Sequence, residues 1–399
     1  MNASRKAELI GTPGEVFGAF LKLGITSFGG PIAHLGYFRD ELVIRRRWVN
    51  EPAYAELVAL CQFLPGPASS QVGFSLGLAR AGPLGALAAW VAFTLPSTVL
   101  MLVLALVSAQ VDGPVAGAVF HALKLVAVVI VAQAVWGMAR SLTPDLRRVL
   151  IAVAAGLITG VMGGALGQVA AILLGAGAGV VACRHLPIAP GDWAPITVRR
   201  RVGAMCLIFF ALLLVMLPPI AGALGWRELR LFDLFYRAGA LVFGGGHVVL
   251  PLLHATLVPI GWIDDGRFLA GYGAAQALPG PLFTISAYLG AFAGKGVGGA
   301  VVALVGIFLP GFLILVGVLP FWTALRRNAL VRAAIAGVNA AVVGILALAL
   351  YDPLWTSSVR SWRDTLLVVV ALIALLRWRL PPLAIVTGMV GGALGLLAL

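Results

Sequence analysis

Residues Cys61–Gln71 read CQFLPGPASSQ, and Ala275–Ile285 read AQALPGPLFTI. Each stretch lies in an apolar surrounding, yet each carries Leu-Pro-Gly-Pro at its centre. Proline has no N–H and stops a helix. One such break is easily a packing kink. Two with the same letters ask what the surroundings are and why the break recurs.

The surroundings are a bilayer. Of 399 residues, 61% are hydrophobic and 11% charged, with mean hydropathy +1.03. Soluble domains carry roughly 25% charged residues, and no single soluble core hides this much apolar surface. Ala204–Leu224 and Leu366–Leu376 are runs of the kind that fill a membrane. The net charge of +13 does not indicate nucleic acid, because the cations fall in short loops between apolar segments, as topology determinants do. Cys61, Cys183 and Cys206 have no metal-ligand spacing and read as packing residues. The N-terminal MNASRKAELIGTPGE is too polar for a cleaved signal peptide.

The chain repeats itself. Trp48 matches Trp262, Gln62 matches Gln276, and Leu64–Pro67 matches Leu278–Pro281. Leu95-Pro96 matches Leu309-Pro310 at the same spacing. LKLGITSFGGP (Leu21–Pro31) matches YRAGALVFGGG (Tyr236–Gly246) with one residue more between them. The expected organisation is a first repeat in 1–183, a basic linker plus one extra transmembrane helix in 184–229, and a second repeat in 230–399. The linker contains Arg199-Arg200-Arg201 and an apolar helix near 203–224.

Loop charge gives the orientation. Arg39, Arg45, Arg46 and Arg47 follow the first segment of repeat one, where repeat two has Asp264 and Asp265 with Arg267. Later, repeat one has Asp112 where repeat two has Arg326 and Arg327. Both comparisons invert, so the repeats are antiparallel by the positive-inside rule. One arrangement that puts the Arg45–Arg47 and Asp112 loops on opposite sides returns the segments broken at FGGP and LPGP as re-entrant hairpins; its rival is full spanning. The hairpins give nine crossings; full spanning gives thirteen. The expected fold is an all-α integral membrane protein with two inverted-topology repeats, broken or re-entrant helices and a linker helix.

Matched breaks in inverted repeats point to a transporter, with its site at the repeat interface. Non-helical backbone at bilayer depth is tolerated where protein or a water-filled cavity satisfies it. After Pro67 a new helix begins, and its first free N–H groups, near Ala68, Ser69 and Ser70, favour an anion. Gly29, Gly30, Gly244, Gly245 and Gly246 let backbone approach a ligand closely. Lys22 and Arg237 hold the same repeat position in apolar segments, and such charges are usually functional; snorkelling to the interface is the bland alternative. Two cations plus helix N-termini suit a small oxyanion.

Gln62 and Gln276 either donate amide hydrogens to that anion or cap freed carbonyls. Ser69, Ser70 and Gln71 stand opposite Phe283, Thr284 and Ile285, so the site is expected to be more polar on its first-repeat side. The substrate-binding candidates also include Phe28, Pro31, His34, Pro65, Gly66, Phe243, Pro279, Gly280, Pro281 and Thr284. Lys124 ranks lower, because its repeat partner is apolar. Glu56, His247 and His254 are candidates for coupling, with Glu15 near a segment end; each histidine is as readily structural. A dianion leaving an inside-negative cell gains roughly 4–5 kcal/mol per 100 mV, so export need not require a proton.

FLKLGITSFGGPIAHLGYFRDELVIRRRWV, YAELVALCQFLPGPASSQVGFSLGLARAG and AWVAFTLPS resemble the chromate ion transporter family in its long two-domain form. FGGG and ALPGP in repeat two extend the likeness over nearly the whole chain. The resemblance implies a multi-pass exporter of chromate in a bacterial inner (plasma) membrane, conferring chromate resistance. It implies sulfate as a competing analogue and a link to the proton-motive force. Family motif residues carried over are Phe28, Gly29, Gly30, Pro31, His34, Gly36, Arg39, Gln62, Pro65, Gly66, Pro67, Ser69, Ser70, Gln71 and Arg80. Repeat two departs, with Gly246 for the motif proline and no Ser-Ser-Gln after LPGP. Gate or topology roles fall to Arg39, Arg45, Arg46, Arg47 and Arg80.

A membrane enzyme would need a catalytic constellation, and five scattered histidines without HExxH do not make one. A haem subunit would need paired axial histidines, and His121 has no evident partner. A channel, or a transporter of another small oxyanion such as sulfate, stays open. No GxxxxGK[ST] motif is present, so ATP is not the internal drive. No cofactor and no metal are expected. The partners are the oxyanion, the bilayer and, as one option, a second copy in a homodimer; nucleic acid is not among them.

Overall fold

The computed structural model describes residues 11–108, 113–184, 196, 198–378 and 380–397, without the side chains of Ile32, Arg326, Leu396 and Leu397. Asp112, the Arg326 side chain and the polar stretch 1–10 lie outside the described residues. Among those described there are helices and no strands.

Repeat one begins with α1 (Pro13–Thr26), capped by the Thr12 hydroxyl, which accepts the Glu15 N–H at 3.2 Å. After the FGG break come α2 (Gly30–Phe38) and a wider π turn over Arg39–Arg45. Asn50 caps α3 (Glu51–Phe63), which ends at LPGP. The next helix, α4 (Ala68–Ser108), is broken at Ala81–Gly82, where Gly82 takes φ +67°. Then follow α5 (Pro114–Leu142), α6 (Leu146–Met162) and α7 (Gly164–Ala182). The linker helix is α8 (Arg200–Leu224).

Repeat two has α9 (Arg227–Ala240), the FGGG break and α10 (Val249–Leu257), then α11 (Asp265–Ala275), LPGP and α12 (Ile285–Ala293). It continues with α13 (Val297–Val318), the short α14 (Trp322–Arg327), α15 (Ala329–Ala349), α16 (Trp362–Arg377) and α17 (Pro382–Leu397). Six of the described helical stretches are long and apolar enough to cross a membrane: Ala68–Ser108, Pro114–Leu142, Gly164–Ala182, Arg200–Leu224, Val297–Leu325 and Ala329–Ser358.

Both broken pairs return to the side where they started. In repeat one the Gly11 N–H donates to the Arg80 carbonyl at 2.9 Å, and Arg80 pairs with Glu15 at 3.1 Å. Arg80 and Arg46 both lie over the Trp48 ring, at 5.3 and 5.6 Å. The start of α1, the turn before α3 and the end of the first half of α4 therefore share one mouth. Repeat two has the same construction. Arg227 donates to the Ala293 carbonyl at 2.6 Å, and Arg227 and Arg230 lie over Trp262 at 5.1 and 6.0 Å. The geometry is that of re-entrant hairpins, with a cation-capped tryptophan at each mouth.

The mouths face opposite ways. α13 leaves the mouth of repeat two, and just beyond its far end the Trp322 indole N–H donates to Glu56 of α3 at 2.9 Å, near the mouth of repeat one. The described cations divide unequally. Arg39, Arg45–Arg47, Arg147, Arg148, Arg184, Arg199–Arg201, Arg327 and Arg377 lie at the end of the mouth of repeat one. Arg227, Arg230, Arg267, Lys295, Arg360 and Arg363 lie at the other; the carboxylates are shared more evenly, with Glu15, Asp40, Glu41, Glu51 and Asp145 at the first end and Glu228, Asp264, Asp265, Asp352 and Asp364 at the second.

Small residues set the packing, as in membranes generally. Gly24 of α1 lies against the Ala92 and Phe93 carbonyls of α4, and its repeat match Gly239 lies against Ile307 of α13. Gly337 and Gly344 of α15 meet Gly179 of α7 and Gly156 of α6. The hairpins of repeat one share a core with Ile314, Leu315, Val318 and Trp322 from repeat two, so the halves interlock. α8 is least buried; its Met205, Ile208 and Leu212 face outward.

Candidate functional site

The breaks of one repeat are bonded to those of the other. The Gly66 N–H, in the first LPGP, donates to the Val242 carbonyl at 2.7 Å. The Gly280 N–H, in the second, donates to the Ser27 carbonyl at 3.0 Å. Gly66 and Gly280 are repeat equivalents, and so are Ser27 and Val242, each one residue before its FGG. The bonds are thus one contact seen twice. Pro31 and Gly246 are also equivalents, and a β-carbon on Gly246 would lie 3.6 Å from Pro31 Cγ. Equivalent residues that touch lie on the axis relating the repeats. All four breaks therefore meet there.

Glycine is required at both LPGP loops. Gly66 takes φ +119° and Gly280 φ +94°, in the left-handed region. A β-carbon on Gly66 would lie 2.9 Å from Gln71 Nε2 and 3.0 Å from Gly311 Cα, and one on Gly280 2.8 Å from Ser97 Oγ. Gly311 and Ser97 are again equivalents, each next to the Leu-Pro of a long helix.

The repeats differ in what they bring to the axis. In repeat one His34, fully buried, lies with Nδ1 3.4 Å from Ser69 Oγ and its ring edge-on to Phe93. Gln71 donates to the carbonyls of Pro65 and Gly311, both at 2.9 Å. Repeat one carries buried polar atoms with no hydrogen-bond partner: Ser27 Oγ, His34 Nε2, Ser70 Oγ and Gln71 Oε1 at the breaks, and Trp90 Nε1 and Thr94 Oγ1 on the second half of α4. A buried polar group left unpaired costs roughly 1–3 kcal/mol, so several in one place call for an occupant. Ser70 itself stands in the first turn of α4, where the amides of Ala68–Ser70 have no intrahelical acceptor.

Repeat two is drier. Phe283 and Ile285 replace Ser69 and Gln71, and the Thr284 hydroxyl donates to Pro281 at 2.8 Å. His247 Nδ1 lies 2.8 Å from the Tyr272 hydroxyl, and Gln276 Nε2 and Asn339 Oδ1 are buried without a partner. Gly244 lies against Met138 and Leu142 of α5.

Lys22 and Arg237 are not bare cations. Lys22 Nζ lies 2.8 Å from Glu41 Oε2, and Glu41 also accepts from Arg45 at 3.2 Å and Arg46 at 2.8 Å. Arg237 pairs with Asp233 at 2.6 Å. The two cation side chains are about half exposed, while Glu41 and Asp233 are buried. Both carboxylates escaped the sequence reading. Asp233 was legible in its i,i+4 spacing from Arg237; Glu41 was hidden among loop arginines counted for topology. Gln62 is exposed on the last turn of α3, while Gln276 is half-buried.

The coupling candidates are all engaged: Glu56 with Trp322, His247 with Tyr272, and His254 with Asp265 at 2.7 Å. Arg39 pairs with Glu51 at 2.6 Å, and Arg47 takes φ +54°. Lys124 approaches Asp264 and Gly266 in repeat two. His121 has a partner after all, Asp364 at 2.9 Å, and not a second histidine.

No solved structure matches the chain. The family described as chromate transporter matches residues 14–181 and 229–396. A chromate transport protein of Pseudomonas aeruginosa is 28% identical over 345 residues, covering 83% of this chain and 79% of that protein. A probable chromate transport protein of Synechococcus elongatus is 30% identical over 388 residues, covering 94% and 93%. A chromate transport protein of Cupriavidus metallidurans is 30% identical over 334 residues, covering 82% and 79%. With both repeats matched, and relatives aligned over most of their length, the chain belongs to the chromate transporter family.

Proposed function

We propose that the chain exports chromate, a small oxyanion, across the inner membrane of a bacterium, and that the anion binds where the four breaks meet. The observation that supports this reading is the set of unpartnered buried polar atoms that repeat one brings to that junction: His34 Nε2 and Ser70 Oγ beside the first LPGP, Ser27 Oγ on the residue bonded to the second, and Thr94 Oγ1 on α4 next to Phe93. Hydroxyls, an imidazole N–H and free helix amides are donors a tetrahedral dianion accepts from on several sides. Lys22 and Arg237, each already balanced by a carboxylate, attract the ion without trapping it.

The arginine-rich mouth of repeat one faces the cytoplasm under the positive-inside rule. Lys22, Thr26 and Gly29 are exposed residues of that hairpin, and loading is from inside. The membrane potential then favours outward movement of a dianion by roughly 4–5 kcal/mol per 100 mV, and a proton gradient is an added drive. Chromate resistance follows from export.

Nothing in neutral donors singles out chromium, so sulfate is expected to compete. The test is chromate uptake by everted vesicles with sulfate, molybdate and phosphate as competitors. Export predicts uptake that needs an energised membrane. Chromate accumulation equal to that of vesicles lacking the protein would overturn the proposal.

A further inference from the structure

Glu41 is a buried carboxylate serving three cations from two legs of one hairpin. Lys22 comes from α1, while Arg45 and Arg46 follow Glu41 on the returning leg. The cations remain reachable: the Lys22 side chain is 48% exposed and that of Arg45 68%, against 8% for Glu41. The cluster keeps a net positive charge with Glu41 in place. It lies between the mouth, marked by Trp48 beneath Arg46, and the break, marked by Ser27 at the end of α1. Repeat two has no such clamp among the described residues. Ala255-Thr256 stand where Glu41 would be, and the Thr256 hydroxyl donates to its own helix at 3.0 Å. The partner of Arg237 sits four residues away on the same helix. The clamp is therefore no consequence of the repeat fold; repeat one alone has it.

We infer that Lys22, Arg45 and Arg46 form an anion-receiving subsite at the mouth of repeat one, with the Glu41 carboxylate as a tethered occupant that an incoming oxyanion displaces. The inference rests on the reading that the oxyanion binds at the breaks beyond. A carboxylate and an oxyanion offer the same acceptor chemistry to a guanidinium, so they compete for the same donors. The carboxylate cannot leave, because its backbone holds it. It therefore offsets one of the three positive charges when the subsite is empty and takes the cations back once the anion has moved on. A subsite of three uncompensated cations would instead hold a dianion too long for rapid passage.

The experiment is equilibrium binding of chromate to purified full-length protein, with uptake measured in vesicles from the same variants. Glu41→Gln is expected to tighten chromate binding at least tenfold and to lower the maximal uptake rate. Glu41→Asp, still charged but too short to reach Lys22, is expected to give a smaller gain of the same sign. Lys22→Gln in the Glu41→Gln background returns the affinity toward the native value. Unchanged or weaker binding in whichever Glu41 variant folds overturns the tethered-occupant inference. Ser70→Ala and Thr94→Val separate the two readings. If they abolish binding while Glu41 variants leave it native, only the subsite fails. If they leave binding native, the site at the breaks fails first.

Discussion

The Gly66 amide and the Val242 carbonyl, 2.7 Å apart, tie the LPGP break of one repeat to the FGG break of the other. Their counterparts, Gly280 and Ser27, make the same bond at 3.0 Å. Each broken loop so satisfies backbone that its own helix has released, which is the condition for broken backbone at bilayer depth. The bonds also place the breaks of both halves at one point, so movement of either hairpin is felt by the other.

Alanine at Gly66 or Gly280 is expected to disrupt this junction. A left-handed backbone costs an L-residue roughly 1–2 kcal/mol, and here the new methyl also meets Gly311 or Ser97. Gly82 has φ +67° but open space around it, so Gly82→Ala bears only the backbone cost. Thermal unfolding in detergent should rank Gly66→Ala and Gly280→Ala well below Gly82→Ala.

Ser70→Ala and Thr94→Val should leave stability unchanged or raise it. Both hydroxyls are buried and unpartnered, and removing such a group relieves a desolvation penalty of roughly 1–3 kcal/mol. Melting temperature is the check. A clear fall would mean that the hydroxyls serve the fold, and that the binding role assigned to them is misplaced.

Cysteines introduced at positions 13 and 45 should label from the same side of the membrane, and one at 261 from the other. The Arg80–Glu15 pair beside Trp48, and the bond from Trp322 to Glu56, set this arrangement. Labelling of 13 and 45 from opposite sides would mean that the first hairpin spans.

Glu56 is expected to act as a joint between repeats and not as a proton carrier. Glu56→Gln keeps an acceptor for the Trp322 N–H and should retain transport. Glu56→Ala leaves the indole unpaired and should cost about 1.5–3 kcal/mol, the range for bonds to charged groups. Loss of proton-linked uptake in a stable Glu56→Gln would restore the coupling role.

The repeat, its inversion and the breaks were legible because proline, glycine and tryptophan fix backbone and interface wherever they stand. The loop arginines were legible because sidedness is read from charge alone. What escaped needed the third dimension. Ser27 and Thr94 carry no signal in the sequence, because a hydroxyl in or beside a helix normally bonds to a carbonyl of that helix; here neither does. Glu41 read as part of a charged loop, because its partnership with Lys22 spans two legs of a hairpin. Gln62 read as a donor to the anion or a cap for freed carbonyls, but the last turn of α3 rotates it outward, and its repeat match Gln276 stays half-buried.

The most direct test of the central claim is the initial rate of chromate uptake into everted vesicles by Ser70→Ala/Thr94→Val at matched protein level. An oxyanion bound at the breaks predicts at least a tenfold fall with the melting temperature kept. A native rate in the stable double variant would contradict it.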